Sequence, residues 1–236
     1  MKKIHHYLFL CFVLFPHLLW AQKGDIFYPR NKHTKLDYIS FDKKNQQNNH
    51  HCYSLFAKIC TPGCNQFVVE DEIVTQKKDM IYHQFKMTCR DGKFFLGMEK
   101  YFNPFRLEAY RNMEILYQAD SLEIPSFAES DRMLPDCSAT ATILGGCGSQ
   151  ILKMQVHIHN RRFESIDSVS TSAGIFKCCK LSFDKIEIVG AFRRKTHHLE
   201  WYAPNIGLVR AENYNKKGKL TGYTLLQEIG EEFLLP

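Results

Sequence analysis

Several features are missing from this sequence, and each absence removes a class of protein. No apolar run reaches the roughly 18 residues that a membrane-spanning helix needs, apart from a shorter stretch at the N-terminus. No segment recurs at a fixed period of about 20 to 50 residues, which excludes solenoids and propellers. There is no G-x-S-x-G, no H-E-x-x-H and no glycine-rich phosphate loop ahead of a helix, so the familiar hydrolase, zinc-protease and nucleotide signatures are absent. Charge of one sign is scarce too, with 31 Lys and Arg against 25 Asp and Glu. The basic residues are spread out, clustering only at Lys43-Lys44, Arg193-Arg194-Lys195 and Lys216-Lys217-Lys219. A nucleic-acid binder concentrates its charge on one face with aromatics interleaved, so no nucleic-acid partner is expected. Arg193-Arg194-Lys195 reads as a solvated strand end in preference to an anionic-lipid contact. With 236 residues, 44% hydrophobic and 24% charged, wholesale disorder is excluded and one globular domain is expected.

The N-terminus has three parts. Lys2 and Lys3 form a basic end, Tyr7 to Trp20 is apolar except for Pro16 and His17, and Ala21 precedes Gln22. This is the layout of a secretory signal peptide over residues 1–21, cut near Ala21/Gln22, leaving 22–236 as the mature domain. The apolar run is short for a membrane anchor, and Cys11 lacks the small residues that precede a lipid-attachment cysteine. Export to the periplasm or beyond is the expectation, and loss of Lys2 and Lys3 lowers the formal charge from +6 to +4.

Eight cysteines then remain: Cys52, Cys60, Cys64, Cys89, Cys137, Cys147, Cys178 and Cys179. An even number in an exported chain points to disulfides, whose connectivity spacing alone leaves open. Cys60 and Cys64 bracket a Pro-Gly turn, so their sulfurs could meet or could staple neighbouring strands. Adjacent Cys178 and Cys179 would point to opposite faces of a strand and serve different partners. Zinc is the rival reading, because Cys60 and Cys64 have ligand-like spacing with His50, His51 and Cys52 upstream.

What the sequence does have is alternation. Leu152, Met154, Val156 and Ile158 share one face of a strand, as do Ile81, Phe85, Met87 and Cys89 of another. Polar turns at Asp42 to Asn49, Arg90-Asp91-Gly92 and Asn215 to Lys219 separate such runs. Further strands are expected at 35–41, 53–59, 66–74, 94–99, 175–183, 186–192, 198–202, 207–214 and 221–229, about ten or eleven in all. Asn103 caps and Pro104 opens one short helix over 104–113. So many short strands must curl to hide their edges, so the expected class is all-β: an antiparallel sheet closing into a barrel or half-barrel.

These elements carry a family resemblance that spans about residues 24 to 229. Its motifs are Asp25 to Pro29 (DIFYP), Thr88 to Gly92 (TCRDG), Tyr101-Phe102-Asn103-Pro104, Leu122 to Ser126 (LEIPS), Leu134-Pro135-Asp136 and Val169 to Phe183. Glu200 to Pro204 (EWYAP), Gly207 to Arg210 (GLVR) and Gly218-Lys219-Leu220 complete the series. In that order they resemble the TapB-like proteins, exported β-rich envelope proteins of the domain-of-unknown-function-3108-like group. The resemblance implies an exported barrel-like domain with no established enzymatic activity and no catalytic residues to carry over. It implies cysteines at Cys89 and Cys178, whereas Cys137, Cys147 and Cys179 are additions in this chain. The shared motifs have structural explanations. Gly174 permits a tight turn after Ala173, Gly207 a bulge or close backbone approach, and Trp201 and Tyr202 supply apolar area with a polar tip.

Candidate chemistry is sparse. Gly145-Gly146-Cys147-Gly148 reads as a turning loop. His157 and His159 point the same way from one strand and are the weak candidates for a metal, with His197-His198 able to add a ligand only if the fold brings it near. Glu70/Glu72 and Glu231/Glu232 read as surface pairs. No cofactor is expected. Two functions remain open: a non-catalytic binding module holding a lipid or other apolar molecule inside the barrel, or a structural protein with a filled core and an envelope protein partner.

Overall fold

The computed structural model describes residues 26–29, 31, 33–127 and 132–231. The expected export signal, Cys11, the cleavage point and Glu232 lie outside these residues. Fourteen strands are found: β1 (Thr34–Asp42), β2 (Gln47–Thr61), β3 (Cys64–Thr75), β4 (Met80–Arg90), β5 (Lys93–Gly97), β6 (Glu114–Ala119) and β7 (Ser121–Ile124), then β8 (Arg132–Leu134), β9 (Cys137–Leu144), β10 (Gln150–Thr171), β11 (Gly174–Val189), β12 (Phe192–Ala203), β13 (Gly207–Asn215) and β14 (Leu220–Glu231). A 3-10 turn (Met98–Tyr101) and one helix, α1 (Pro104–Glu108), separate β5 from β6.

All pairings are antiparallel, in the order β6-β9-β10-β11-β12-β13-β14-β1-β2-β3-β4-β5-β7, with β8 beside β10. The two ends of this order, β6 and β7, are joined by the single residue Asp120. Asp120 fastens there, its N–H donating to the Ser138 carbonyl at 2.9 Å and its carboxylate accepting from the Ser138 N–H at 2.7 Å. The sheet is thereby rolled into a nearly closed barrel. Its two open edges are short and adjacent, which protects them from pairing with other chains.

Alternation decides which face turns inward. Phe85 and Met87 from β4, Met154, Val156 and Ile158 from β10, and Leu181 and Phe183 from β11 are all buried in one core. Each such side chain contributes about 1.5–3 kcal/mol on full burial. The Ile26–Pro29 segment enters the barrel as well, with Phe27 and Tyr28 fully buried. The Phe27 ring meets Phe94 edge-on at 5.8 Å and Tyr202 at 6.3 Å. Gly207, at φ +106°, is required here, because a Cβ would lie 2.8 Å from the Phe27 carbonyl oxygen.

The architecture is the one expected, with more strands. β9 escapes a hydrophobicity reading because its inward residues are Cys137, Ala139, Ala141 and Ile143, small among Ser and Thr. β10 runs for 22 residues because bulges near Asn160 and Glu164 reset its alternation, so the polar stretch after His159 stays in the ladder. The expected break after Phe183 does not occur; β11 continues to Val189 and turns at Gly190. α1 is also shorter than expected, ending at Glu108, although Asn103 caps it by accepting from the Arg106 N–H at 3.2 Å.

The disulfide expectation is corrected. Among the described residues no two of the eight cysteines are joined in a disulfide. Cys178 and Cys179 do face opposite sides, but Cys179 packs into the barrel core and Cys178 into a small outer cluster with Val169, Trp201, Ala203 and Val209. Cys137 is held as a thiol donor to the Ser121 and Pro135 carbonyls, at 3.7 Å each. Burial pushes Cys52 and Cys178 up to about 12, which suppresses their thiolates. Alkylation of the folded, unreduced protein is therefore expected to reach exposed Cys60 and Cys147 first, and denaturation without reductant to release all eight thiols. Thiols that appear only after reduction contradict this assignment.

Candidate functional site

The barrel interior has two unlike halves. Toward the end that carries the 62–63, 91–92 and 204–206 turns it is filled by Phe27, Tyr28, Phe67, Phe85 and Phe94. Toward the opposite end, which carries the 43–46, 76–79, 190–191 and 216–219 turns, lies a cavity of about 330 Å³. Its wall is polar: His51 from β2, Lys185 and Glu187 from β11, Thr196, His198 and Glu200 from β12, Asn213 from β13 and Thr224 from β14. The Lys100-to-Phe105 segment lies across it, with Tyr53 and Leu208 deeper in.

One network is centred on Glu200. Its Oε2 accepts from the Tyr101 hydroxyl at 2.9 Å and the Tyr202 hydroxyl at 2.7 Å. Lys100 Nζ sits 3.6 Å from Oε1 and donates to the Tyr202 oxygen at 2.8 Å. A buried carboxylate needs both a countercharge and hydrogen bonds, and here it has both. Burial, reinforced by the Glu200 charge, raises Tyr101 and Tyr202 well above the usual phenol range, so both stay donors. Burial lowers Lys100, and Glu200 opposes that fall.

Beside it, His198 stacks flat on Phe183 at 5.1 Å, with Nε2 2.7 Å from the Thr196 hydroxyl. Burial, and after it the Lys185 charge, holds this imidazole well below its ordinary value. Lys185 is itself lowered by burial and donates to the Tyr101 carbonyl at 3.3 Å. Arg194 stands exposed at the rim above Glu187, its register partner. A second network crosses β14, β1, β2 and β3. The Thr224 and Ser40 hydroxyls are 2.8 Å apart, Ser40 Oγ is 3.1 Å from His51 Nε2, and His51 Nδ1 is 3.1 Å from the buried Asp71 carboxylate. The arrangement can bind a small polar group and can move protons along either network.

The residues singled out from sequence are scattered. Asn103, Pro104 and Tyr202 reach the cavity wall or its network. Trp201 points outward, donating to Asp167 at 3.0 Å between the Lys180 and Arg210 cations. Gly174, at φ +138°, closes the β10–β11 hairpin away from the site. His157 and His159 stack 6.0 Å apart outside the core, with His159 paired to Asp136 at 3.0 Å. Among the described residues no three His, Cys, Asp or Glu side chains group to hold a metal, and the Cys60/Cys64 zinc reading gains no further ligand. Lys100, Glu200, His198, His51 and Asp71 were missed as a site. Their signal was a polar residue at every second position, as in Thr196, His198, Glu200.

His198 and His83 are both buried, and burial lowers both below the ordinary imidazole value, with Asp71 opposing at His83. Unfolding lets them take up protons, so their contribution is present above about pH 6.5 and is lost as pH falls below it. Urea midpoints are expected to drop between about pH 7 and about pH 5.5, with His198→Gln removing about half of the drop. A flat profile contradicts neutral burial.

A profile for DUF3108-like proteins matches residues 31–226 of the chain. A crystal structure described as that of an exported protein with a YmcC-like fold, from Bacteroides fragilis, superposes with a TM-score of 0.70 at 20% identity, over 88% of this chain and 100% of that one. One described as a lipoprotein from Parabacteroides distasonis gives 0.75 at 20% identity, over 89% and 100%. At this identity the likeness shows the fold. No curated protein matches the sequence. The chain belongs to the DUF3108-like family.

Proposed function

We propose that this protein is an exported binding module of the cell envelope, and that the polar mouth of its barrel holds the head of a small amphiphilic ligand. The observation that carries this reading is the cavity of about 330 Å³ lined by buried ionisable groups, in a barrel otherwise packed with side chains. Buried charges are costly to maintain and concentrate at functional sites. Lys185 and rim Arg194 suit an anionic group, while Tyr53, Phe102 and Leu208 offer apolar contact. Because Phe27, Tyr28, Phe67, Phe85 and Phe94 fill the far half, the reading moves from a wholly apolar cargo to a ligand with a polar end. Export is supported by the N-terminal layout of residues 1–21 and by the descriptions of the fold's relatives. The motif order also supports placing the chain with the TapB-like members of its family.

A second reading, an envelope protein with a protein partner, is favoured by exposed Phe56, Ile59, Tyr82 and Ile175 on the outer wall. Native mass spectrometry of protein purified gently from its own envelope fraction separates the two. The binding reading predicts a reproducible adduct, extractable with organic solvent and reduced in an Arg194→Glu variant. A clean apo mass for the wild type overturns it in favour of the partner reading.

A further inference from the structure

Ser40, His51 and Asp71 stand on three successive strands and point into the barrel. Ser40 on β1 is the register partner of Thr224 on β14, and His51 on β2 that of Tyr38 on β1. His51 Nδ1 faces the Asp71 carboxylate at 3.1 Å, so this nitrogen carries the proton and Nε2 is left as an acceptor. Nε2 lies 3.1 Å from Ser40 Oγ, and Asp71 is almost wholly buried while His51 lines the cavity. A hydroxyl, an imidazole that accepts its proton and a buried carboxylate that fixes the tautomer are the three roles of a nucleophilic triad, which is recognised by geometry and not by chain order. No sequence motif announces it, because the spacing is set by strand register.

From this geometry we propose that the barrel mouth is also an acyl-transfer site, with Ser40 as nucleophile, His51 as general base and Asp71 as the residue that positions the imidazole, acting on an ester of a small amphiphile. Ser40 Oγ bonds to the ester carbonyl carbon as its proton passes to His51 Nε2. The tetrahedral adduct collapses, the ester C–O bond breaks and the leaving alcohol takes that proton from His51. Water, deprotonated by His51, then releases the acid and restores Ser40, so that one ester and one water give one acid and one alcohol. The Thr224 hydroxyl, 2.8 Å from Ser40 Oγ, is the hydroxyl available to donate to the developing oxyanion in this proposal. β1 is paired on both sides, so its backbone groups are committed to ladders and supply little of an oxyanion hole. Turnover is therefore slow, and a stoichiometric probe reads the nucleophile more directly than a rate.

The proposal rests on the cavity and the ligand class of the binding reading, but its test does not depend on ligand retention. The folded wild-type chain is treated with a fluorophosphonate and followed by intact mass and peptide mapping. One adduct at Ser40 is expected, absent from the Ser40→Ala variant and slowed at least about tenfold in His51→Ala, since general-base help is commonly worth 10²–10⁴. No adduct at Ser40 in the wild type overturns the proposal, as does equal labelling of Ser40 after the His51 substitution. Should either variant fail to fold, the wild-type map decides: Ser40 modified supports the site, and Ser40 unmodified rejects it.

Discussion

The carboxylate of Glu200 is the constraint on which the upper half of the barrel depends. It sits inside an antiparallel barrel, almost without exposure, and it is kept there by Lys100, Tyr101 and Tyr202. Two of these three come from the 3-10 turn after β5, not from a neighbouring strand. The contact therefore fastens the connection that crosses the barrel mouth onto the opposite wall. Without it, an ionised group would be stranded in a low-dielectric interior and the crossing segment would lose its anchor.

That anchor divides the interior. Below it, aromatic side chains from the Ile26–Pro29 segment and from β3, β4 and β5 fill the volume. Above it the inward positions are polar, and the cavity remains. A barrel of this girth could have been packed throughout with Val, Ile and Leu, which would be at least as stable as buried ion pairs. The ionisable groups at Lys100, Lys185, Glu187, His198 and Glu200 are the observations on which the proposed binding role rests. Rigid ladders on every side of β1, β2, β11 and β12 hold these groups in place without a loop or a lid.

The same polarity explains where the sequence was readable and where it was not. β4 and the first half of β10 alternate cleanly between apolar and polar residues, so their faces could be assigned from the chain alone. The Asn103-Pro104 pair marked the start of α1 because a capping side chain and a fixed φ act locally. The pattern breaks β11 at Phe183 into two expected strands, since the next inward residues, Lys185 and Glu187, are polar and face the cavity. β9 hid behind inward alanines, and the disulfide reading failed because cysteine count and compartment say nothing about which faces the thiols occupy. The site itself was invisible because strand register, not sequence proximity, brings Ser40 to His51 and His51 to Asp71, and the turn that crosses the mouth after β5 brings Lys100 to Glu200. Local consistency gives way where function is concentrated.

A double-mutant cycle between Lys100 and Glu200 tests this account most directly. Lys100→Met and Glu200→Gln are compared singly and together by urea denaturation. Breaking a buried pair from one side costs about 3–5 kcal/mol, whereas replacing both partners leaves no uncompensated charge. The account predicts that the double variant is more stable than the sum of the single losses implies, by about 1 kcal/mol or more. Losses that add to within about 0.5 kcal/mol would show that the two side chains are independent and that the mouth is not held by this contact.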